Sequence, residues 1–184
     1  MELRFLPAGA VELRERAGRL PTIRGTAIIY NSLSAEITHG GRTFREMVRP
    51  GAFSVSISSG SEILARFQHG EIIGRTSDGT LRLMANSTGI KYEVDPYDSA
   101  DGRNAVDEIR RGKIRGSSFG MIISTDSWRN DAKGLIREIH SARLIEVSPV
   151  SSPAYRDTEA GLLPEHTGES LAVLKMRLDL AARE

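Results

Sequence analysis

The stretch 115–121 contains two adjacent serines, Ser117 and Ser118, and either hydroxyl is a candidate nucleophile. If this stretch is a strand, Ser118 shares its face with Gly116 and Gly120, whereas Ser117 shares its face with larger side chains. Glycine within a strand often marks the close approach of another backbone or of a ligand. The pattern predicts that Ser118 is a nucleophile with a substrate chain beside it. A glycine-rich bend with an incidental serine pair is the alternative.

Two further side chains could complete a hydrolytic site with Ser118. A serine hydroxyl attacks an acyl group only when an imidazole takes its proton, and the imidazolium needs a carboxylate partner. His69 follows a predicted strand over 62–68, on its mainly apolar face, and Glu146 is a lone acid in the apolar strand 144–150. An unpaired buried carboxylate is costly. Each residue also has a structural explanation: a core histidine, a water-facing glutamate and a structural serine.

The elements that position these residues are mostly short strands. A β-branched or alternating pattern predicts strands in addition to the one that carries Ser118, at 22–30, 44–49, 62–68, 72–77, 80–86, 89–94, 134–142 and 144–150. The strands between 72 and 94 read as a meander. A short helix follows Pro50, and a longer helix over 99–111 has Ser99 as its N-cap and Gly112 after its end. Regular βαβ alternation is missing, so we expect a mixed, β-rich fold: an antiparallel barrel or sheet with a few helices around it.

Composition narrows the function classes. The chain has 184 residues, which suits one domain, and 25 Lys+Arg against 24 Asp+Glu argue against a general binder of nucleic acid or anionic membrane. It has no cysteine, its four histidines lack zinc-site spacing, and the acidic stretch 95–102 has the wrong register for calcium. No stretch approaches the ~18 apolar residues of a membrane span. We expect a soluble, intracellular-type chain without metal or cofactor.

The tail has a different pattern from the body. From Gly168 onward an apolar helical stripe is formed by Leu171, Leu174, Leu178 and Ala181. An isolated helix of this length is marginal in water, so the stripe needs a partner surface. That surface is either the body of the same chain or a second copy, and we favour self-association.

Five short motifs, taken together in order over residues 22–158, resemble the prohead (procapsid) maturation serine proteases of tailed phages, which are similar to the herpesvirus assemblins. The motifs are Gly25–Tyr30, Phe44–Phe53, Phe67–His69, Gly112–Met121 and Ile145–Ala154. The resemblance implies a β-barrel surrounded by helices. It also implies that His69 is the general base, Ser118 the nucleophile and Glu146 the third member, a position that histidine fills in assemblins.

The resemblance implies an endopeptidase that cleaves scaffold segments of the major capsid protein, and then itself, inside the assembling procapsid in the host cytoplasm. The expected partners are the capsid protein and a second protease copy. Residues 1–158 would form the protease domain, and 159–184 a flexible loop and amphipathic helix. Two alternatives stay open. A non-catalytic capsid-assembly or scaffold-binding module would hold the serine, histidine and glutamate too far apart, and an esterase-like hydrolase would have a closed pocket.

Overall fold

A computed structural model describes residues 1–5 and 11–151 of the chain. These residues form a β-rich fold with two helices, α1 (Ser54–Ser58) and α2 (Ala100–Arg110). The strands are β1 (Glu2–Phe5), β2 (Glu12–Arg16), β3 (Arg19–Ile29), β4 (Ile37–His39), β5 (Arg42–Val48), β6 (Leu64–Arg66), β7 (Ile72–Arg75), β8 (Leu81–Ala85), β9 (Gly89–Val94), β10 (Gly116–Asp131) and β11 (Gly134–Val150).

The strands divide into two sheets around one apolar core. A seven-stranded sheet has the order β1-β10-β11-β5-β4, with β6 on β11 and β7 on β6, and a four-stranded sheet has the order β2-β3-β9-β8. Both sheets contribute to the core, for example through Ile28 and Tyr92 of the smaller sheet and Phe119 and Val147 of the larger one. The predicted β-rich fold with few helices is confirmed. Closure into a barrel stays a prediction.

The sheet is not purely antiparallel, because β11 pairs in parallel with both β5 and β6. The prediction of two strands at 134–142 and 144–150 was wrong, since β11 runs unbroken through Arg143. Arg143 is exposed, and a single solvent-facing charge fits the alternation of a strand. The register of the β10–β11 pairing shifts at bulges between Gly120 and Asp126, and the two strands stay paired on both sides of them.

The predicted meander over residues 72–94 is only partly present. β8 pairs with β9 in the smaller sheet, whereas β7 pairs with β6 in the larger sheet. The turn at Asp78 and Gly79 therefore passes the chain from one sheet to the other. Turn residues show where a strand ends, but they do not show which strand is its partner.

Both helices form as predicted. The Ser99 hydroxyl accepts a hydrogen bond from the Gly102 N–H at 3.1 Å, which caps α2, and Gly112 follows the helix with a φ of 68°. The short helix α1 supports β11, because the Leu144 N–H donates to the Ser56 hydroxyl at 3.0 Å. Among the described residues, no helix has the length and apolarity needed to cross a bilayer.

The predicted boundary at residue 158 and the predicted loop and helix over 159–184 lie outside the described residues.

Candidate active site

His69 lies in a tight turn between β6 and β7. The prediction that it ends a strand over 62–68 was wrong, since β6 stops at Arg66 and both Gln68 and His69 have positive φ, 49° and 61°. The left-handed conformation costs about 1–2 kcal/mol per non-glycine residue, so the surroundings must stabilise it. The Gln68 N–H donates to the Pro149 carbonyl at 3.1 Å, which ties the turn to the end of β11. Strain of this kind is concentrated at functional sites.

Glu146 is buried in β11 with both carboxylate oxygens engaged. Its side chain is 1% exposed, its Oε1 lies 2.5 Å from Nδ1 of His69, and its Oε2 lies 2.8 Å from Nε of Arg66. Arg66 of β6 and His69 of the turn after β6 thus converge on one carboxylate of β11. The sequence patterns assigned no role to Arg66.

Ser118 lies on β10 directly opposite Ser148 of β11. Two positions along, Gly120 lies opposite Glu146, so Ser118, Ser148 and Glu146 share one face of the hairpin. Ser148 Oγ is 3.4 Å from Nδ1 of His69, longer than the glutamate contact. The His69 ring therefore lies over the face that carries Ser118. The sequence signal that would have identified Ser148 is its position two residues after Glu146, because residues two apart in a strand share a face.

The Ser118 hydroxyl donates a hydrogen bond to the backbone carbonyl of Arg4 at 2.8 Å, and the residue is 0% exposed. A chain does lie beside Ser118, as the flanking glycines indicate, but it is strand β1 of the same chain. A Cβ added to Gly120 would lie 2.8 Å from Cγ of Glu146 and 3.1 Å from Cδ2 of Leu3. This glycine therefore makes room for the glutamate and for a strand of the same chain.

The two adjacent serines point to opposite sides of β10, as the alternation predicts. Ser117 faces the core, where its hydroxyl lies 3.0 Å from the hydroxyl of Tyr92. Burial raises the pKa of Tyr92, so its phenol stays protonated at neutral pH. Ser117 is therefore held in a buried neutral hydrogen bond, away from His69.

This arrangement could transfer a proton between an imidazole and a nearby hydroxyl group. An imidazole whose Nδ1 faces a carboxylate keeps its proton on Nδ1, so Nε2 is the basic nitrogen. A neighbouring carboxylate also stabilises the imidazolium that forms when Nε2 takes a proton. These are the requirements for activating a serine.

A cleft in the described part of the chain lies away from the three candidate residues. Within residues 1–5 and 11–151, no group of three or more His, Asp or Glu side chains is placed to hold a metal ion. An open cleft of about 780 Å³ lies between the β2–β3 turn and the segment 95–98, and His69, Ser118 and Glu146 are not among its lining residues.

Comparison with known proteins gave one match. The model of a family described as caudovirus prohead serine protease matches residues 10–170. The comparison with curated proteins found no match, and the comparison with solved structures also found none.

Proposed function

Because the chain belongs to the caudovirus prohead serine protease family, it is at the family level a protease of phage capsid maturation, and we propose that Ser118, His69 and Glu146 perform the cleavage. The main support is the 2.5 Å contact between His69 Nδ1 and Glu146 Oε1 on the face of the hairpin that carries Ser118. A buried carboxylate, an imidazole and a hydroxyl in this order match the needs of acyl transfer.

In the proposed reaction the Ser118 hydroxyl turns from Arg4 toward Nε2 of His69. Oγ attacks the carbonyl carbon of the substrate while its proton passes to Nε2, and Glu146 stabilises the imidazolium. The imidazolium then gives that proton to the leaving amine as the C–N bond breaks, which leaves an acyl-enzyme. Water, deprotonated by His69, hydrolyses the ester and restores Ser118.

The proposed substrates are scaffold segments of the major capsid protein and, afterwards, the protease itself, within the procapsid in the host cytoplasm. Family membership supports contact with capsid proteins.

We also propose self-association through the apolar stripe that the sequence predicts after Gly168. A solution mass equal to one chain at working concentrations would contradict it.

The test of the nucleophile is labelling with a fluorophosphonate probe followed by peptide mass spectrometry. We expect the probe on Ser118, and Ser118→Ala and His69→Ala should each lower peptide cleavage by up to ~10⁶-fold. Ser117→Ala is the matched control, because the same deletion on the opposite face of β10 should leave labelling in place. Label on Ser117, or cleavage that survives Ser118→Ala, would reject the assignment.

Failure of all labelling, together with retained binding to capsid protein, would favour the non-catalytic assembly module. Rapid hydrolysis of small esters without any peptide cleavage would favour the esterase-like alternative. Both outcomes are distinct from the result expected for an endopeptidase.

A further inference from the structure

The first strand of the chain lies beside the candidate nucleophile. β1 is an edge strand that pairs antiparallel with β10, with Leu3 opposite Gly120 and Phe5 opposite Ser118. The Arg4 carbonyl accepts the 2.8 Å hydrogen bond from Ser118. Peptides commonly bind proteins by adding a strand to an exposed sheet edge, where main-chain hydrogen bonds give affinity. β1 thus has the direction and the position of an extended peptide at Ser118.

The side chain of Arg4 is bound in an acidic site on β5. Its Nε lies 2.6 Å from Oε1 of Glu46, and a second guanidinium nitrogen lies 3.1 Å from Oε2. Glu46 is 2% exposed, so this is a buried two-point contact between planar groups. Burial alone would lower the pKa of Arg4, but the carboxylates of Glu46 and Glu2 outweigh it and raise that pKa. Arg4 therefore enters the site as a cation.

The surrounding charges leave Glu46 dependent on this cation. Arg137 is a second basic group near Glu46, with NH1 at 3.7 Å from Oε2. Arg137 also bonds Glu2 at 3.1 Å and Asp126 at 2.5 Å, so its charge is shared among three carboxylates. Removing one partner of a buried ion pair is strongly unfavourable, because the other charge stays buried. The site on β5 therefore favours any strand that carries a basic side chain in the position of Arg4.

We propose that the edge of β10 covered by β1 is where an extended substrate segment binds, and that Glu46 selects a basic residue at the position whose carbonyl faces Ser118. The inference rests on the proposed function, since it takes Ser118 as the nucleophile. The substrate segment displaces β1, pairs antiparallel with β10 and places its arginine or lysine against Glu46. The bond cut is the one that follows this basic residue.

The test compares the rate of fluorophosphonate labelling at Ser118 in the full chain and in Arg4→Ala. Weakening β1 should uncover Ser118 and raise the rate by at least about tenfold, the factor for one lost charge-assisted hydrogen bond. Arg103→Ala is the matched control, because it removes an arginine paired with the exposed Asp98 and should leave the rate unchanged. Thermal melts monitor folding. If Arg4→Ala does not fold, Arg4→Gln combined with Glu46→Gln leaves no lone buried charge and gives the same comparison.

Specificity is tested by competition with two short peptides, Glu-Leu-Arg-Phe and Glu-Leu-Ala-Phe. In Arg4→Ala the arginine peptide should slow labelling at a concentration at least about tenfold lower than the alanine peptide. Glu46→Gln added to Arg4→Ala should remove that difference. Equal labelling in the full chain and Arg4→Ala, or equal potency of the peptides, would overturn the inference alone. Loss of Ser118 labelling in every variant would overturn the proposed function with it.

Discussion

Replacing Glu146 by glutamine should disable the imidazole by reversing its tautomer. The carboxylate has one oxygen for Arg66, at 2.8 Å, and another for His69, at 2.5 Å. Glutamine has a single oxygen, and because a guanidinium only donates, that oxygen should face Arg66. The amide NH₂ then faces Nδ1 of His69, which must accept, and the ring proton moves to Nε2. His69 in this form cannot take the Ser118 proton.

The expected loss is about 10⁴-fold in turnover, the size of the effect when asparagine replaces aspartate in a serine-protease triad. At 1.36 kcal/mol per factor of ten this equals roughly 5.5 kcal/mol of transition-state stabilisation. The assay is the rate of fluorophosphonate labelling at Ser118, followed from seconds to days so that four decades are covered. Peptide cleavage is measured in parallel. A loss of less than tenfold would refute the role assigned to Glu146.

A double variant tests whether the His69 tautomer is what disables Glu146→Gln. With Arg66→Met added to Glu146→Gln, the amide is free to turn its oxygen toward Nδ1 of His69. Activity should then recover by at least about tenfold over Glu146→Gln, a coupling expected only between residues that share a partner. A double variant as inactive as the single one would contradict the argument.

The matched control is Glu138→Gln. Glu138 lies on the same strand, is nearly buried, and is paired with Arg129 at 2.6 Å and Arg49 at 3.4 Å. The substitution therefore makes the same chemical change in a similar ion pair away from His69. Labelling of Ser118 should be unchanged.

Two further predictions concern packing and acid stability. Gly120→Ala should cost about 1–3 kcal/mol of stability and lower activity, because its Cβ would lie 2.8 Å from Cγ of Glu146; an unchanged melting temperature and activity would contradict this. Burial alone would raise the pKa of Glu93 and Asp95, but hydrogen bonds from arginines, with Arg82 common to both, hold each pKa below its usual range. Because these folded-state pKa values lie below the unfolded ones, the stabilisation is full above pH about 5 and is lost as the pH falls through the folded pKa values. The urea concentration at the midpoint of unfolding should therefore fall less between neutral and acid pH in Arg82→Gln than in the unchanged protein. Parallel pH profiles of this midpoint for the two proteins would refute the prediction.

Local patterns in the sequence predicted the local parts of the structure. The cap at Ser99 and the glycine after α2 were sufficient to locate that helix, because capping depends on neighbouring residues. Alternation was sufficient to separate Ser117 from Ser118, because the period of a strand is fixed. The cost of an unpaired charge in an apolar strand indicated that Glu146 would need a partner if it were buried, but the sequence left a water-facing glutamate open.

Long-range pairings could not be predicted from the same patterns. The Ser118 hydroxyl bonds a carbonyl 114 positions earlier in the chain, and nothing in the alternation of residues 2–5 identifies β10 as their partner. The positive φ of His69 was also missed, since a histidine after an alternating stretch continues the pattern of a strand. Tertiary contacts with the end of β11 decide that conformation, and a single sequence carries little information about them.

The position of β11 in the larger sheet has a consequence for synthesis on the ribosome. Translation proceeds from the N-terminus at roughly 5–20 residues per second, and β11 pairs with β5, β6 and β10, all of which are made before it. Glu146 meets His69 only after that strand has emerged, and β1 must wait for β10 before it has a partner. Pairings of such long sequence separation form slowly. A nascent chain therefore cannot bring Ser118, His69 and Glu146 together until translation has passed Val150.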